Sequence, residues 1–147
     1  MIIYKRASIF EATTQTKVNT VNCVGVMGKG IALDYKKKYP NMFNSYKKIC
    51  NKKLMNIGLL QLWKENDSDW ILNFPTKYHW KNPSKLEYLE KGLQKFVEIY
   101  KDKGITSITF PQLGCQNGGL DWESEVKPLM EKYLNDIDIE VHVNMMV

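Results

Sequence analysis

Short runs of β-branched and aromatic residues alternate along this chain with segments whose apolar residues recur every three or four positions. Few folds accommodate that alternation. Runs suited to strands, interleaved with helices carrying one apolar stripe, predict an α/β layered architecture in which helices flank a central sheet. Ile2 to Phe10 reads as a strand pair or a bent strand, and Val18 to Asn22 as a short strand. Helices are predicted over Ile31 to Tyr39, stopped by Pro40, and over Asn41 to Lys52 with Phe43, Tyr46 and Ile49 on one face. Gly58 to Trp63 and Trp70 to Phe74 read as paired strands.

The clearest helix runs from Ser84 to Lys103. Ser84-Lys-Leu-Glu87 has the spacing of a capping box. Leu86, Leu89, Leu93, Phe96, Val97 and Tyr100 form its stripe, and Gly104 suits its C-terminal end. A strand over Ile105 to Phe110, a helix over Trp122 to Leu134 and a strand over Ile137 to Met145 complete the pattern.

Two glycine-rich loops, Gly25-Val-Met-Gly-Lys-Gly30 and Gly114-Cys-Gln-Asn-Gly-Gly119, each fall where a strand ends and a helix begins. In an open α/β sheet that is the carboxyl edge, where ligands bind. Glycine lets a ligand approach the backbone, and the N–H groups of the following helix suit a phosphate. Neither loop has the spacing of a dinucleotide fingerprint or of a P-loop. Either one alone reads first as a tight turn; the matched placement of both favours a ligand, and two such loops side by side could hold a pyrophosphate.

The 147 residues suffice for one domain and one core. No apolar stretch approaches the roughly 20 residues that span a bilayer. The N-terminus turns charged within five residues, so a cytoplasmic protein is expected. Cys23, Cys50 and Cys115 are odd in number and widely spaced, and only two histidines occur. They read as reduced thiols, and no metal site is expected. The net charge of +5 is compatible with an anionic ligand or nucleic acid. The runs Lys36-Lys37-Lys38, Lys47-Lys48 and Lys52-Lys53 read first as solvated helix faces.

Three motifs carry a family resemblance: Asn19-Thr-Val-Asn-Cys-Val-Gly-Val-Met-Gly-Lys-Gly-Ile-Ala-Leu33, Asn73-Phe-Pro-Thr-Lys-Tyr-His-Trp80, and Pro111-Gln-Leu-Gly-Cys-Gln-Asn-Gly-Gly-Leu-Asp-Trp122. In this order they resemble the macrodomains of DarG antitoxins and the related terminal ADP-ribose protein glycohydrolases, over nearly the whole chain. The resemblance implies a single macrodomain over residues 1–147, an α/β/α sandwich with a mixed central sheet. It also implies ADP-ribose in a cleft at the loop edge, and metal-independent and cofactor-free hydrolysis at the ribose anomeric carbon.

By the same resemblance Lys77 is the catalytic residue. A lysine amine can attack an anomeric carbon, or form a Schiff base with an opened sugar, when its pKa is depressed. Lys81, Lys85 and a desolvated pocket are the expected causes. Asn22 matches the asparagine directed at the distal ribose, with a strand-end turn as its plainer role, and Asn19 is a further binding candidate. Gly28, Gly30, Gly114 and Gly118 are the phosphate-loop candidates. Ile31, Thr76, Cys115, Gln116 and Asn117 are expected beside the same ligand, and Met27 either there or in the core.

Asp121 offers an acid/base role or a helix cap, and the cap is favoured because a helical pattern follows at once. The protein glycohydrolases carry their catalytic aspartate at the position aligned with Gly118, which favours a lysine-led, DarG-like reaction here. At the adenine end Ala7-Ser8-Ile9 replaces the common Gly-Asp-Ile, leaving Ser8 and Ile9 with weaker base discrimination. Tyr78, His79 and Trp80, with Lys81 and Lys85, could stack a base and hold phosphates; Trp80 could equally pack under the next helix, and His79 reads as a surface residue.

The expected activity is removal of ADP-ribose from single-stranded DNA modified on thymidine by a DarT-type toxin. Hydrolysis of protein-linked ADP-ribose, a non-catalytic reader and hydrolysis of small ADP-ribose phosphates are the alternatives. A monomer without membrane contact is expected. DarG antitoxins also carry a C-terminal toxin-neutralising region with no counterpart among these residues. An excised macrodomain and a stand-alone enzyme both fit that difference.

Overall fold

The computed structural model describes residues 1–146. Its strands are β1 (Ile2–Arg6), β2 (Thr16–Val21), β3 (Gln61–Lys64), β4 (Trp70–Pro75), β5 (Ser107–Phe110) and β6 (Glu140–Met145). They form one sheet in the order β1-β6-β5-β2-β4-β3. All neighbours are parallel except β3, which runs antiparallel to β4 at one edge. The helices are α1 (Gly30–Lys38), α2 (Pro40–Asn51), α3 (Leu86–Ile99) and α4 (Lys127–Leu134). This is the α/β layered architecture that the alternation of periods predicts, with the mixed sheet that the family resemblance implies.

Strand alternation sends apolar side chains to both faces. Val18, Leu72, Phe74, Ile108 and Phe110 meet Leu89, Leu93 and Phe96 of α3 and Met130 and Leu134 of α4. On the other face Val21 and Ile71 meet Tyr35 of α1 and Met42, Tyr46 and Cys50 of α2. Every residue of β4 is buried, as befits a strand covered by helices on both sides. The lysine runs of α1 and α2 are exposed, and Lys36, Lys37 and Lys38 lie in the last turn of α1, where cations meet the negative helix end.

Several local expectations give way to tertiary context. Ile2 to Phe10 is one strand followed by a 3₁₀ turn at Ile9–Glu11, not a strand pair. Pro40 separates the first two helices by occupying the first turn of α2, where its missing N–H costs nothing. The face α2 buries is Met42, Tyr46 and Cys50, one step round from the expected one, with Phe43 and Ile49 half-buried. Val97 lies outside the buried stripe of α3.

The expected capping box does not form. Lys85 caps α3 without a side-chain hydrogen bond, because Ser84 is drawn under the second glycine loop, its N–H donating to Gly118 O at 3.0 Å. The last helix opens with a wide π turn at Trp122–Val126, the Val126 N–H donating to Asp121 O at 3.1 Å. Pro128 explains this: it has no N–H for the Ser124 carbonyl, and its ring crowds that carbonyl.

α3 approaches the sheet at Gly92, where a Cβ would lie 2.3 Å from the ring of fully buried Phe74. Gly92→Ala is therefore expected to destabilise the protein by about 1–3 kcal/mol through overpacking, despite the better helix propensity of alanine. A denaturant melt of the variant checks this; an unchanged or raised midpoint would contradict it.

Because the parallel strands share one direction, the segments after β1, β2, β4, β5 and β6 converge on one edge. The two glycine loops become neighbours there because β5 and β2 are paired. Among the described residues no helix is long and apolar enough to cross a membrane.

Candidate functional site

A cleft of about 630 Å³ opens at this edge. Ala7, Ser8 and Ile9 after β1 and Asn144 and Met146 at the end of β6 line one end. Asn22, Gly28, Lys29 and Ile31 line the first loop, Gly114, Gln116, Asn117 and Gly118 the second, and Thr76, Lys77 and Trp80 the far end. Among the described residues no carboxylate lines it, and the first turn of α1 presents free backbone N–H groups beside Lys29. The cleft therefore suits an anion.

The loops touch at Gly30, where a Cβ would lie 3.0 Å from Asn117 Nδ2. Gly118 is packed harder: a Cβ there would lie 2.4 Å from Gly114 O and 2.5 Å from the buried Ser84 Oγ. Backbone thus fills the space that a side chain at this position would need.

Asn22 organises the first loop. Its Nδ2 donates to Val26 O at 2.7 Å, and its Oδ1 accepts from the Val24 N–H at 3.0 Å and the Tyr46 hydroxyl at 2.9 Å. The strand-end role is therefore present, and Asn22 also lines the cleft.

Lys77 is half-buried, and its Nζ donates to Asn117 O at 2.6 Å and to Trp80 O at 3.5 Å. These contacts hold the amine where the two loops meet. Its pKa is lowered, first by desolvation and then by the charge of Lys29. Desolvation is as expected, but the cationic neighbour is Lys29 in place of Lys81 or Lys85. A short contact to a carbonyl favours the charged amine; burial and the second cation outweigh it.

Other expected residues fall elsewhere. Asn19 is fully buried on β2 and donates to Asn73 Oδ1 at 3.0 Å, in the layer under α2 and away from the cleft. It points that way because β2 alternates, and the odd positions face α2. Met27 is 1% exposed and packs in the same core. Cys115 packs against the opposite core, its thiol donating to Leu113 O at 3.4 Å, and burial pushes its pKa up to about 11.

Asp121 is a helix cap: its carboxylate accepts from the Ser124 N–H at 2.8 Å and from the Ser124 hydroxyl, and these bonds hold its pKa below the usual value. It does not line the cleft. Ser8 Oγ likewise accepts from the Phe10 N–H at 3.2 Å as the cap of the 3₁₀ turn.

The sequence reading missed Lys29, Gln112 and Asn144 as cleft residues. Asn144 is buried and donates to Ser8 O at 2.9 Å. A polar residue ending an otherwise apolar parallel strand was the available signal for it.

The sheet carries its two glycine loops at its carboxyl edge, and residues 18–129 match the Macro domain family. The chain belongs to the macrodomain family. It is 43% identical to the DNA ADP-ribosyl glycohydrolase of Mycobacterium tuberculosis, over 97% of this chain and 42% of that protein. It therefore spans less than half the length of this relative. The structure superposes on the macrodomain of Mycobacterium tuberculosis DarG with a TM-score of 0.90 at 41% identity, covering 98% of this chain and 97% of the other. It superposes on Thermosipho africanus DarTG in complex with ADP-ribose with a TM-score of 0.88 at 38% identity, covering 95% and 40%.

Proposed function

We propose that the chain binds ADP-ribose in this cleft and hydrolyses the bond joining it to a base of single-stranded DNA, a mark made by a DarT-type transferase. The observation that carries the reading is a half-buried amine, Lys77 Nζ, 2.6 Å from Asn117 O in a cleft that no carboxylate among the described residues lines. The similarity to a named DNA ADP-ribosyl glycohydrolase and to a DarTG bound to ADP-ribose supports the substrate. In this reading the adenosine lies toward Ser8, Ile9 and Asn144, the pyrophosphate between the two glycine loops, and the distal ribose beside Asn22 and Lys77.

Lys77 acts as the nucleophile in its neutral form. Its nitrogen bonds to the anomeric carbon, directly or after ring opening as a Schiff base, and the bond to the base breaks. The electron pair of that bond stays on the base nitrogen, which takes up a proton. Water then attacks the lysine-linked carbon, releasing ADP-ribose and restoring the amine.

The test is incubation with a single-stranded oligonucleotide carrying ADP-ribosylated thymidine, beside a peptide carrying glutamate-linked ADP-ribose. Loss of the mark from the DNA is the expected result. Intact DNA with a cleaved peptide would replace this reading by protein deribosylation, and binding without cleavage of either would leave a reader.

The lysine chemistry also sets a pH dependence. Desolvation, and after it the charge of Lys29, lowers the Lys77 pKa, so a larger share of the amine is neutral at a given pH. Lys29→Gln removes the Lys29 charge and raises the Lys77 pKa. The acid limb of kcat/KM against pH, which reports the free enzyme, should move to higher pH. An unmoved limb would show that Lys29 does not tune the nucleophile.

A further inference from the structure

The cleft continues past Lys77 into a second hollow of about 580 Å³, which shares Lys29, Lys77, Trp80 and Asn117 with the first and extends over Lys81. With ADP-ribose in the first cleft and its reacting ribose at Lys77, the group being cut away has to lie on this side. We infer that the second hollow is the leaving-group subsite, in which the nucleobase of the modified strand stacks on Trp80 while Lys81 and Lys29 hold the flanking phosphates. This inference rests on the ADP-ribose reading of the first cleft.

Trp80 is 50% exposed, whereas Trp70 is buried and Trp63 and Trp122 are half-buried. An open indole is costly to leave in water, and this one stands next to the reacting amine, out from under the following helix. It is held there from several sides. The Trp80 carbonyl accepts from Lys77 Nζ at 3.5 Å, and the Asn82 N–H donates to His79 O at 3.2 Å across a tight turn. The Lys81 N–H donates to His79 Nδ1 at 3.1 Å, and the Tyr78 carbonyl accepts from the Cys23 N–H at 3.0 Å. The turn that carries Trp80 is therefore fixed, and its backbone needs little ordering when a base arrives.

The charge of the hollow agrees. Among the described residues three lysines and no carboxylate line it, and the Lys81 ammonium stands 5.2 Å from the Trp80 ring centroid on a flexible stem. An aromatic face edged by cations is the arrangement that holds single strands, with stacking for the base and charge for the backbone. A glutamyl or aspartyl leaving group has no flat face for the indole to cover, which favours DNA over a modified protein.

Binding tests this without turnover. Lys77→Ala protein is titrated with free ADP-ribose and with a single-stranded oligonucleotide carrying one ADP-ribosylated thymidine, in the presence and absence of changes at Trp80 and Lys81. The oligonucleotide is expected to bind about tenfold tighter or more, and Trp80→Ala should remove about tenfold of that gain. Trp80→Phe, which keeps an aromatic face and guards against a folding defect, should recover most of it. Lys81→Ala should flatten the dependence of log affinity on log salt by about 0.7.

An oligonucleotide that binds no tighter than ADP-ribose would overturn the subsite. So would an equal loss for both ligands in Trp80→Ala, or a Trp80-dependent gain for a glutamate-linked peptide alone. Failure of the hydrolase reading looks different: the wild type would leave the mark intact while the Trp80-dependent gain persisted.

Discussion

Lys77→Ala is expected to slow release of ADP-ribose from modified DNA by about 10³-fold or more, the scale on which removal of a nucleophile acts. Lys77→Arg should be nearly as inactive. Arginine restores a cation and donors to the Asn117 carbonyl, but it stays protonated at any working pH and offers no free amine. The pair of variants therefore separates a nucleophile from a charge. Single-turnover rates on ADP-ribosylated oligonucleotide, with calorimetry on free ADP-ribose, supply the measurement. Substantial activity in Lys77→Arg would mean that this side chain stabilises charge electrostatically and forms no bond to the sugar.

Gly118→Asp is expected to be the most damaging change in the second loop. It would place a carboxylate at the position that the family resemblance aligns with the aspartate of the protein glycohydrolases. The new Cβ, however, would lie 2.4 Å from Gly114 O and 2.5 Å from Ser84 Oγ, and both of those residues are buried. The loop has to shift, and with it the hydrogen bond from the Ser84 N–H to Gly118 O that ties the loop to the start of α3. A loss of about 2–3 kcal/mol follows from overpacking, seen as a thermal midpoint roughly 5–10 °C lower. ADP-ribose affinity should fall with it, since Gly114 and Gly118 line the cleft. A stable variant with faster cleavage would mean that the loop relaxes readily and that a Lys/Asp pair can operate here.

Together the variants separate two ways of building the same reaction. A carboxylate on the second loop can help the leaving group depart, but it needs a loop with room for a side chain. Here backbone occupies that room, and Asp121, three residues further on, is committed to the Ser124 N–H and hydroxyl at a helix start. The Lys77 pKa is lowered instead by desolvation first and by the charge of Lys29 on the facing loop second.

What the sequence by itself determined is what local chemistry specifies. The apolar spacing of α3 and the central strands, the helix break at Pro40, the cap at Asp121 and the two glycine loops all depend on neighbours a few residues away. The family motifs added the place of the cleft and put Lys77 in its lining, because three separated segments had to agree in order.

Tertiary structure decided wherever a residue answers to a distant partner. Ser84 has the spacing of a capping box yet serves the loop at Gly118, 34 positions on. Asn19 sits inside a binding motif but turns its amide to Asn73, because strand alternation and the β2–β4 register put it under α2. Lys29, remote from Lys77 in the chain, became its cationic neighbour only when the first loop folded over the end of β4. Spacing along a chain fixes which residues share a face; strand order fixes which faces meet, and that order is set by burial summed over the whole sheet.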